Sequence, residues 1–249
     1  MNPFFFGTKE RRLFGAYDPP RGTGRRGAVV CYPWAREYLL AHPTLRHLAR
    51  LLSGRGFHVL RFDYSGTGDS AGDAADASQD QWLADVQTAV DELKEVGQLA
   101  QVGLIGMRYG AALAAWTAGR RRDIDRLVMW DPVFDGRAYL AELGVPPQAA
   151  EASAERDVRG AVLTERLRSG METVTLPSFG PGLPRTLIVD TVESAGGSDA
   201  LQGQLAAAGV DCTLERVPDV PVWAKEWGGT GESAGMAVAA VNRIVAWLP

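Results

Sequence analysis

Val102-Gly103-Leu104-Ile105-Gly106-Met107-Arg108-Tyr109-Gly110-Ala111-Ala112-Leu113 is the stretch on which the fold turns. A short apolar run, a tight Gly-x-x-x-Gly turn and a run of small apolar residues read as buried strand, sharp turn and buried helix. Glycine stands where one backbone must pass close to another. The layout is that of a nucleophile elbow, in which Gly-x-Ser-x-Gly raises a serine hydroxyl at the top of a sheet. Here the central residue is Arg108. A guanidinium is permanently charged and carries five N–H donors but no acceptor, so it cannot attack a carbonyl carbon.

Upstream of this stretch, residues 27–32 are a continuous apolar run suited to a strand covered on both faces, and residues 57–63 are a second. The second opens into the glycine-rich loop Tyr64-Ser65-Gly66-Thr67-Gly68-Asp69-Ser70. Between them, Leu45, Leu48 and Leu52 share a face, Pro43 suits a first turn and glycines follow, predicting a helix over 43–56. Ser78 and Gln81 have the form of a capping box, opening a helix in which Trp82, Val86, Val90 and Leu93 recur at helical spacing. Residues 4–6 and 12–17 form an opening antiparallel hairpin.

Downstream, strands are predicted over 124–130, 186–190 and 212–217, and helices over 201–208 and 233–248. Alternation at this rhythm implies right-handed crossovers and a mainly parallel sheet covered on both faces. The rhythm fails between Val133 and Pro184, where Pro146-Pro147, scattered charge, an amphipathic piece near 158–167 and Gly180-Pro181-Gly182 occur. An insertion that long, returning to a strand, predicts a cap over the sheet's carboxyl edge. The expected organisation is core over 1–132, cap over 133–184 and core again over 185–249.

With 249 residues and 46% hydrophobic content, one α/β domain with an insertion is expected. A net charge of -4 offers no electrostatic footprint for nucleic acid or an anionic membrane. Met1-Asn2-Pro3-Phe4-Phe5-Phe6-Gly7 lacks the form of a signal peptide, and no apolar run approaches the length of a bilayer span, so a cytosolic protein is expected. Cys31 and Cys212 fall in separate predicted strands and are expected as free thiols. Two cysteines and three histidines without paired spacing predict no metal site.

The order of these motifs resembles the α/β-hydrolase superfamily over nearly the whole chain. Asn2-Pro3-Phe4-Phe5-Phe6-Gly7, Arg61-Phe62-Asp63-Tyr64-Ser65-Gly66-Thr67-Gly68-Asp69-Ser70 and Trp130-Asp131-Pro132-Val133-Phe134-Asp135-Gly136 resemble its serine-aminopeptidase-like branch found with exosortase, exopolysaccharide and natural-product biosynthesis genes. The resemblance implies a three-layer α/β-hydrolase fold, with a mainly parallel eight-stranded sheet and a helical cap. It also implies that Arg108 is characteristic of the branch rather than accidental. Oxyanion donors would come from the loop near Tyr32 to Trp34 and from the Tyr109 amide, which follows Met107 and the elbow residue. Asp190 or Glu193 would match the acid. The base would be a histidine after the last strand, where this chain carries Asp219, Trp223, Lys225, Glu226 and Trp227 and has no histidine beyond His58.

Acyl transfer of the Ser-His-acid kind needs an attacking oxygen, an imidazole and an orienting carboxylate. The first two are missing from their expected places. Three readings follow. In the first, the protein acts on or binds an anionic acyl or carbonyl intermediate of a biosynthetic pathway. Arg108 is then the anion clamp, Tyr109 and the loop from Tyr32 to Glu37 supply donors, and Asp190, Glu193, Asp219 or Glu226 assist. Trp34 and Trp223 would meet the ligand at the pocket mouth. In the second, it is a non-catalytic pseudohydrolase holding a small ligand or pathway protein. In the third, the nucleophile has moved, with Cys31 and His42 as the candidate pair. Arg108 also has a purely structural reading, an inward ion pair with Asp131, Asp190 or another carboxylate. No cofactor is implied, and the expected partner is a small-molecule or carrier-bound acyl ligand.

Overall fold

The computed structural model describes residues 1–146, 155–179, 182–192, 197–224 and 235–249. The chain opens with β1 (Asn2–Gly7) and β2 (Arg12–Asp18), an antiparallel hairpin as expected. Then come β3 (Arg26–Cys31), α1 (Arg36–Gly54), β4 (Phe57–Phe62), α2 (Gln79–Gly97), β5 (Val102–Met107), α3 (Tyr109–Ala118) and β6 (Ile124–Trp130). The stretch that decides the fold is therefore strand, single-residue turn and helix, and every residue of β5 and α3 is buried. A helix apolar all round belongs in a core.

Between β6 and the next core strand lie α4 (Gly136–Glu142), β7 (Glu155–Val158), β8 (Ala161–Thr164) and α5 (Glu165–Glu172). The core resumes with β9 (Arg185–Asp190), α6 (Gly197–Ala207), β10 (Cys212–Arg216) and α7 (Val238–Trp247). The main sheet has eight strands in the order β1-β2-β4-β3-β5-β6-β9-β10, antiparallel from β1 to β4 and parallel from β4 to β10. Adjacent β3 and β5 are where the winding reverses: α1 carries the chain from β3 out to β4, and α2 carries it back past β3 to β5. A crevice at the carboxyl ends of such a pair is where this architecture places ligands.

Three local expectations are corrected. Helix α1 starts at Arg36, seven residues before the predicted start at Pro43, which lies inside it. Proline there forfeits the bond to the carbonyl of Leu39, a residue exposed to water that can take its place. Ser78 caps α2 by accepting from the Gln81 N–H at 3.3 Å, but the Gln81 amide donates to Asp85 at 2.8 Å instead of turning back, so only half of the box forms. The amphipathic piece near 158–167 is not one helix. Val158 ends β7, Arg159 and Gly160 turn with φ of 52° and 85°, and β8 follows. Two successive left-handed residues make the tight turn of a β-hairpin. Thr164 then caps α5, accepting from the Leu167 N–H at 3.0 Å. The described part of the insertion is thus mixed, not wholly helical.

The insertion is tied to the core by directional bonds. Thr164 donates to the Ala77 carbonyl at 3.3 Å and the Trp116 indole donates to the Ser178 carbonyl at 3.2 Å. Both cysteines are free thiols. Among the described residues, no helix is long and apolar enough to cross a membrane.

Candidate functional site

Arg108 is the single residue between β5 and α3, with φ 54° and ψ -124°. That region is nearly reserved for glycine and costs a side-chain-bearing residue on the order of 1–3 kcal/mol, so it persists only where the surroundings dictate it. They do so here. The Arg108 N–H donates to the Trp130 carbonyl at 3.0 Å, and its carbonyl accepts from the Ala111 N–H at 3.0 Å. A Cβ on Gly106 would lie 2.4 Å from the Gly110 carbonyl oxygen, and one on Gly110 would lie 2.3 Å from that of Tyr32. Those glycines let β5, α3 and the loop after β3 close on one another. The turn thus has the geometry of an elbow, with arginine at its apex.

The guanidinium is enclosed. Its Nε donates to Glu37 Oε1 at 3.1 Å and its Nη2 to Glu142 Oε2 at 2.7 Å. The Trp223 ring centroid lies 3.8 Å from its Cζ and that of Tyr139 lies 5.4 Å away. Tyr139 donates its hydroxyl to Glu37 Oε2 at 2.9 Å, so one buried carboxylate receives both the arginine and the tyrosine. Trp223 is fixed in turn by donating its indole N–H to Asp131 at 2.9 Å, and Asp131 also accepts from the Thr191 N–H and hydroxyl. The inward ion pair foreseen as an alternative is therefore formed, but with Glu37 and Glu142 instead of Asp131 or Asp190.

Burial orders these interactions. Arg108 is 8% exposed, the Glu37 side chain 3% and the Glu142 side chain 46%. Desolvation pushes the Glu37 carboxyl up, with Arg108 pulling against it. Desolvation also opposes charge on Arg108, but Glu37, Tyr139 and Glu142 together outweigh it and raise its pKa. With one cation facing two carboxylates, the guanidinium offers no surplus positive charge to a ligand anion while Glu142 is in place.

Neither Glu142 nor Tyr139 was among the expected site residues. They stand at i and i+3 of α4, one face of a helix. Asp135 signals the start of that helix by accepting from the N–H groups of Arg137 and Ala138 at 2.9 and 3.0 Å. That signal locates the helix but not the surface it meets.

The remaining expected residues divide. Tyr109 is the first residue of α3, where N–H groups have no acceptor within the helix, as a donor role requires. Its ring is buried and its hydroxyl donates to Gln79 at 2.9 Å. Met107 is buried at the end of β5. The Tyr32 carbonyl accepts from the Tyr64 hydroxyl at 3.2 Å, and its own hydroxyl accepts from Arg61 at 3.2 Å. Glu37 lies in the first turn of α1, not in a loop. Asp190 ends β9 and accepts from Ser198 at 2.7 Å. Asp219 caps α7 from a distance, accepting from the N–H groups of Ala239 and Ala240 at 2.8 and 3.1 Å, which gives its carboxylate a structural task. Glu193, Glu226, Lys225 and Trp227 lie outside the described residues.

A relocated Cys-His pair is not supported by the geometry. Cys31 is wholly buried, and burial pushes its thiol up to about 12, against the thiolate that attack requires. His42 stacks on Tyr32 with ring centroids 5.8 Å apart, and burial lowers its pKa. His47 shares α1 and His58 lies in β4, bonded to Tyr17. Ser65 donates to Asp85, and Ser70 donates to the Asp63 carbonyl, so both hydroxyls brace the glycine-rich loop.

A cavity of about 370 Å³ lies between the loop after β3, the glycine-rich loop after β4 and the β7–β8 hairpin. Trp34, Tyr38, Tyr64, Trp82 and Val162 supply its aromatic and aliphatic wall. Arg108 does not line it. Trp34 thus lines the cavity, whereas Trp223 stacks on the arginine.

A family profile described as serine aminopeptidase, S33, matches residues 43–166. A search of curated proteins finds no match. Among solved structures, Est1E from Butyrivibrio proteoclasticus with ferulic acid bound is similar at a TM-score of 0.72 and 18% identity, covering 89% of this chain and 92% of that one. Mouse alpha/beta hydrolase domain-containing protein 10 is similar at 0.64 and 15%, covering 99% and 96%. An esterase from Pyrococcus furiosus is similar at 0.64 and 15%, covering 87% and 81%. At these identities the likeness is one of fold.

Proposed function

We propose that this chain, which has the α/β-hydrolase fold, is a non-catalytic binder of a small acyl or aromatic ligand, which it holds in the cavity beneath the β7–β8 hairpin. The observation that carries this reading is the state of Arg108. The apex of the elbow holds a side chain that cannot attack, its charge is taken up by Glu37 and Glu142, and two aromatic rings close over it. The histidine that serves elsewhere as general base has no counterpart in the described geometry: the three histidines lie on α1 and β4, and Asp219, in the loop where that base is expected, caps a helix. In this reading Arg108 is a strut joining core to insertion, and action as an anion clamp requires Glu142 to leave.

The cavity supports a ligand with a flat or branched apolar body, because its wall combines two indoles, two phenols and a valine with few polar groups. The neighbour solved with ferulic acid makes an aromatic acid and its esters sensible first probes. Titration calorimetry with methyl ferulate is expected to show saturable binding to the wild type. Ala161→Trp, which puts an indole into the cavity from the hairpin, is expected to abolish it. Absence of binding of both methyl ferulate and ferulate to the wild type, or binding unaffected by Ala161→Trp, would overturn the proposal.

A further inference from the structure

Among the described residues, the charged ones lining the cavity are Arg36 and Arg159, and no carboxylate lines it. Neither arginine forms an ion pair among the described residues. Arg159 donates a single bond, to the Glu142 carbonyl at 3.1 Å, and Arg36 is half-buried.

Arg36 is also placed by strained backbone. Arg36 follows Ala35, whose φ of 55° and ψ of -137° lie where residues with a side chain are rarely found. Such a conformation is found most often where geometry serves a ligand. Two guanidinium groups beside an apolar, aromatic wall suit a molecule with an apolar body and one anionic end, because charge-assisted bonds from arginine to a carboxylate strengthen as water is excluded.

Building on the binding role proposed above, we infer that the ligand is a carboxylic acid, its apolar body against Trp34, Tyr64 and Trp82 and its carboxylate held by Arg36 and Arg159. The anion site is thus at the rim of the cavity and separate from Arg108, whose charge is already met by Glu37 and Glu142.

The test compares ferulate with methyl ferulate at pH 7.5, by titration calorimetry on the wild type and on Arg36→Gln, Arg159→Gln and Arg36→Lys. Ferulate is expected to bind at least tenfold more tightly than its ester to the wild type, with the advantage shrinking as salt rises. Each glutamine variant is expected to weaken ferulate by about tenfold and leave the ester unchanged, while Arg36→Lys retains part of the advantage. Equal affinity for acid and ester would overturn the carboxylate inference while leaving the binding role intact. An acid preference that survives both glutamine variants would overturn the assignment to these arginines. If neither compound binds, the binding role and this inference fall together.

Discussion

At the scale of the residue, the protein is organised by Arg108, whose consequences run inward. An arginine at an elbow apex arrives with its backbone strained and its side chain drawn into a place of low polarity, so it needs partners, and it has found them. Glu37 contributes a nearly inaccessible carboxylate and Glu142 a half-exposed one. The two bonds therefore differ in worth: the outer is screened and contributes at most about 1 kcal/mol, whereas removing one member of a buried pair typically costs about 3–5 kcal/mol. Arg108→Met is accordingly expected to lower the urea-unfolding free energy by about 3–5 kcal/mol. The double variant Arg108→Met/Glu37→Met should recover on the order of 1–3 kcal/mol relative to the sum of the single changes, because no charge is then stranded. Additive effects would show that the two side chains do not act as a pair. That the apex residue lacks a nucleophilic oxygen was legible from Gly106-Met107-Arg108-Tyr109-Gly110 alone. Its partners were not, since Glu37 lies 71 residues away and Glu142 34, and no periodicity links them to the elbow.

At the scale of the element, the order of β5, turn and α3 was legible because sterics and burial agree there, although the turn is tighter than a Gly-x-x-x-Gly reading implies, with Arg108 alone between Met107 and Tyr109. A wholly apolar strand, two glycines at fixed spacing and a helix of small residues admit one arrangement. The glycines provide the sharpest check. A methyl group on Gly110 meets the Cys31 and Tyr32 carbonyl oxygens at 2.4 and 2.3 Å, and neither backbone can rotate away. Gly110→Ala is expected to cost at least about 2 kcal/mol in urea unfolding, or to prevent soluble expression. Gly203→Ala, in α6 with open space around its would-be Cβ, is expected to gain about 0.5–1 kcal/mol. A tolerated Gly110→Ala would mean that the elbow is looser than described. The insertion was harder to read. Its hairpin turns on Arg159-Gly160, and arginine is not a residue that announces a left-handed turn, so a strand–turn–strand passed for one amphipathic segment. Helix α1 was misjudged at its start for a related reason, since a proline ordinarily found near a helix beginning here sits within it on an exposed flank.

At the scale of the whole molecule, an eight-stranded sheet whose winding reverses between β3 and β5 creates a crevice above their carboxyl ends, and the protein has filled part of it and left part open. The part over the elbow is occupied by Arg108, Glu37, Tyr139, Glu142 and Trp223, which tie core to insertion. The part between the β3 loop, the glycine-rich loop and the hairpin remains a cavity walled by aromatic rings and flanked by Arg36 and Arg159, which form no ion pair among the described residues. The overall architecture was legible in the alternation of strands and helices. The division of the crevice was not, because it depends on residues of α1, α4 and the loop after β10 converging from distant parts of the chain. The binding role proposed above requires that this protein retain ligands without cleaving them. The direct measurement is chromatographic analysis of methyl ferulate after prolonged incubation with enough protein to bind most of it. The ester is expected to be recovered intact at the rate seen in buffer, and release of ferulate above that rate, lost on Arg108→Ala, would contradict the claim.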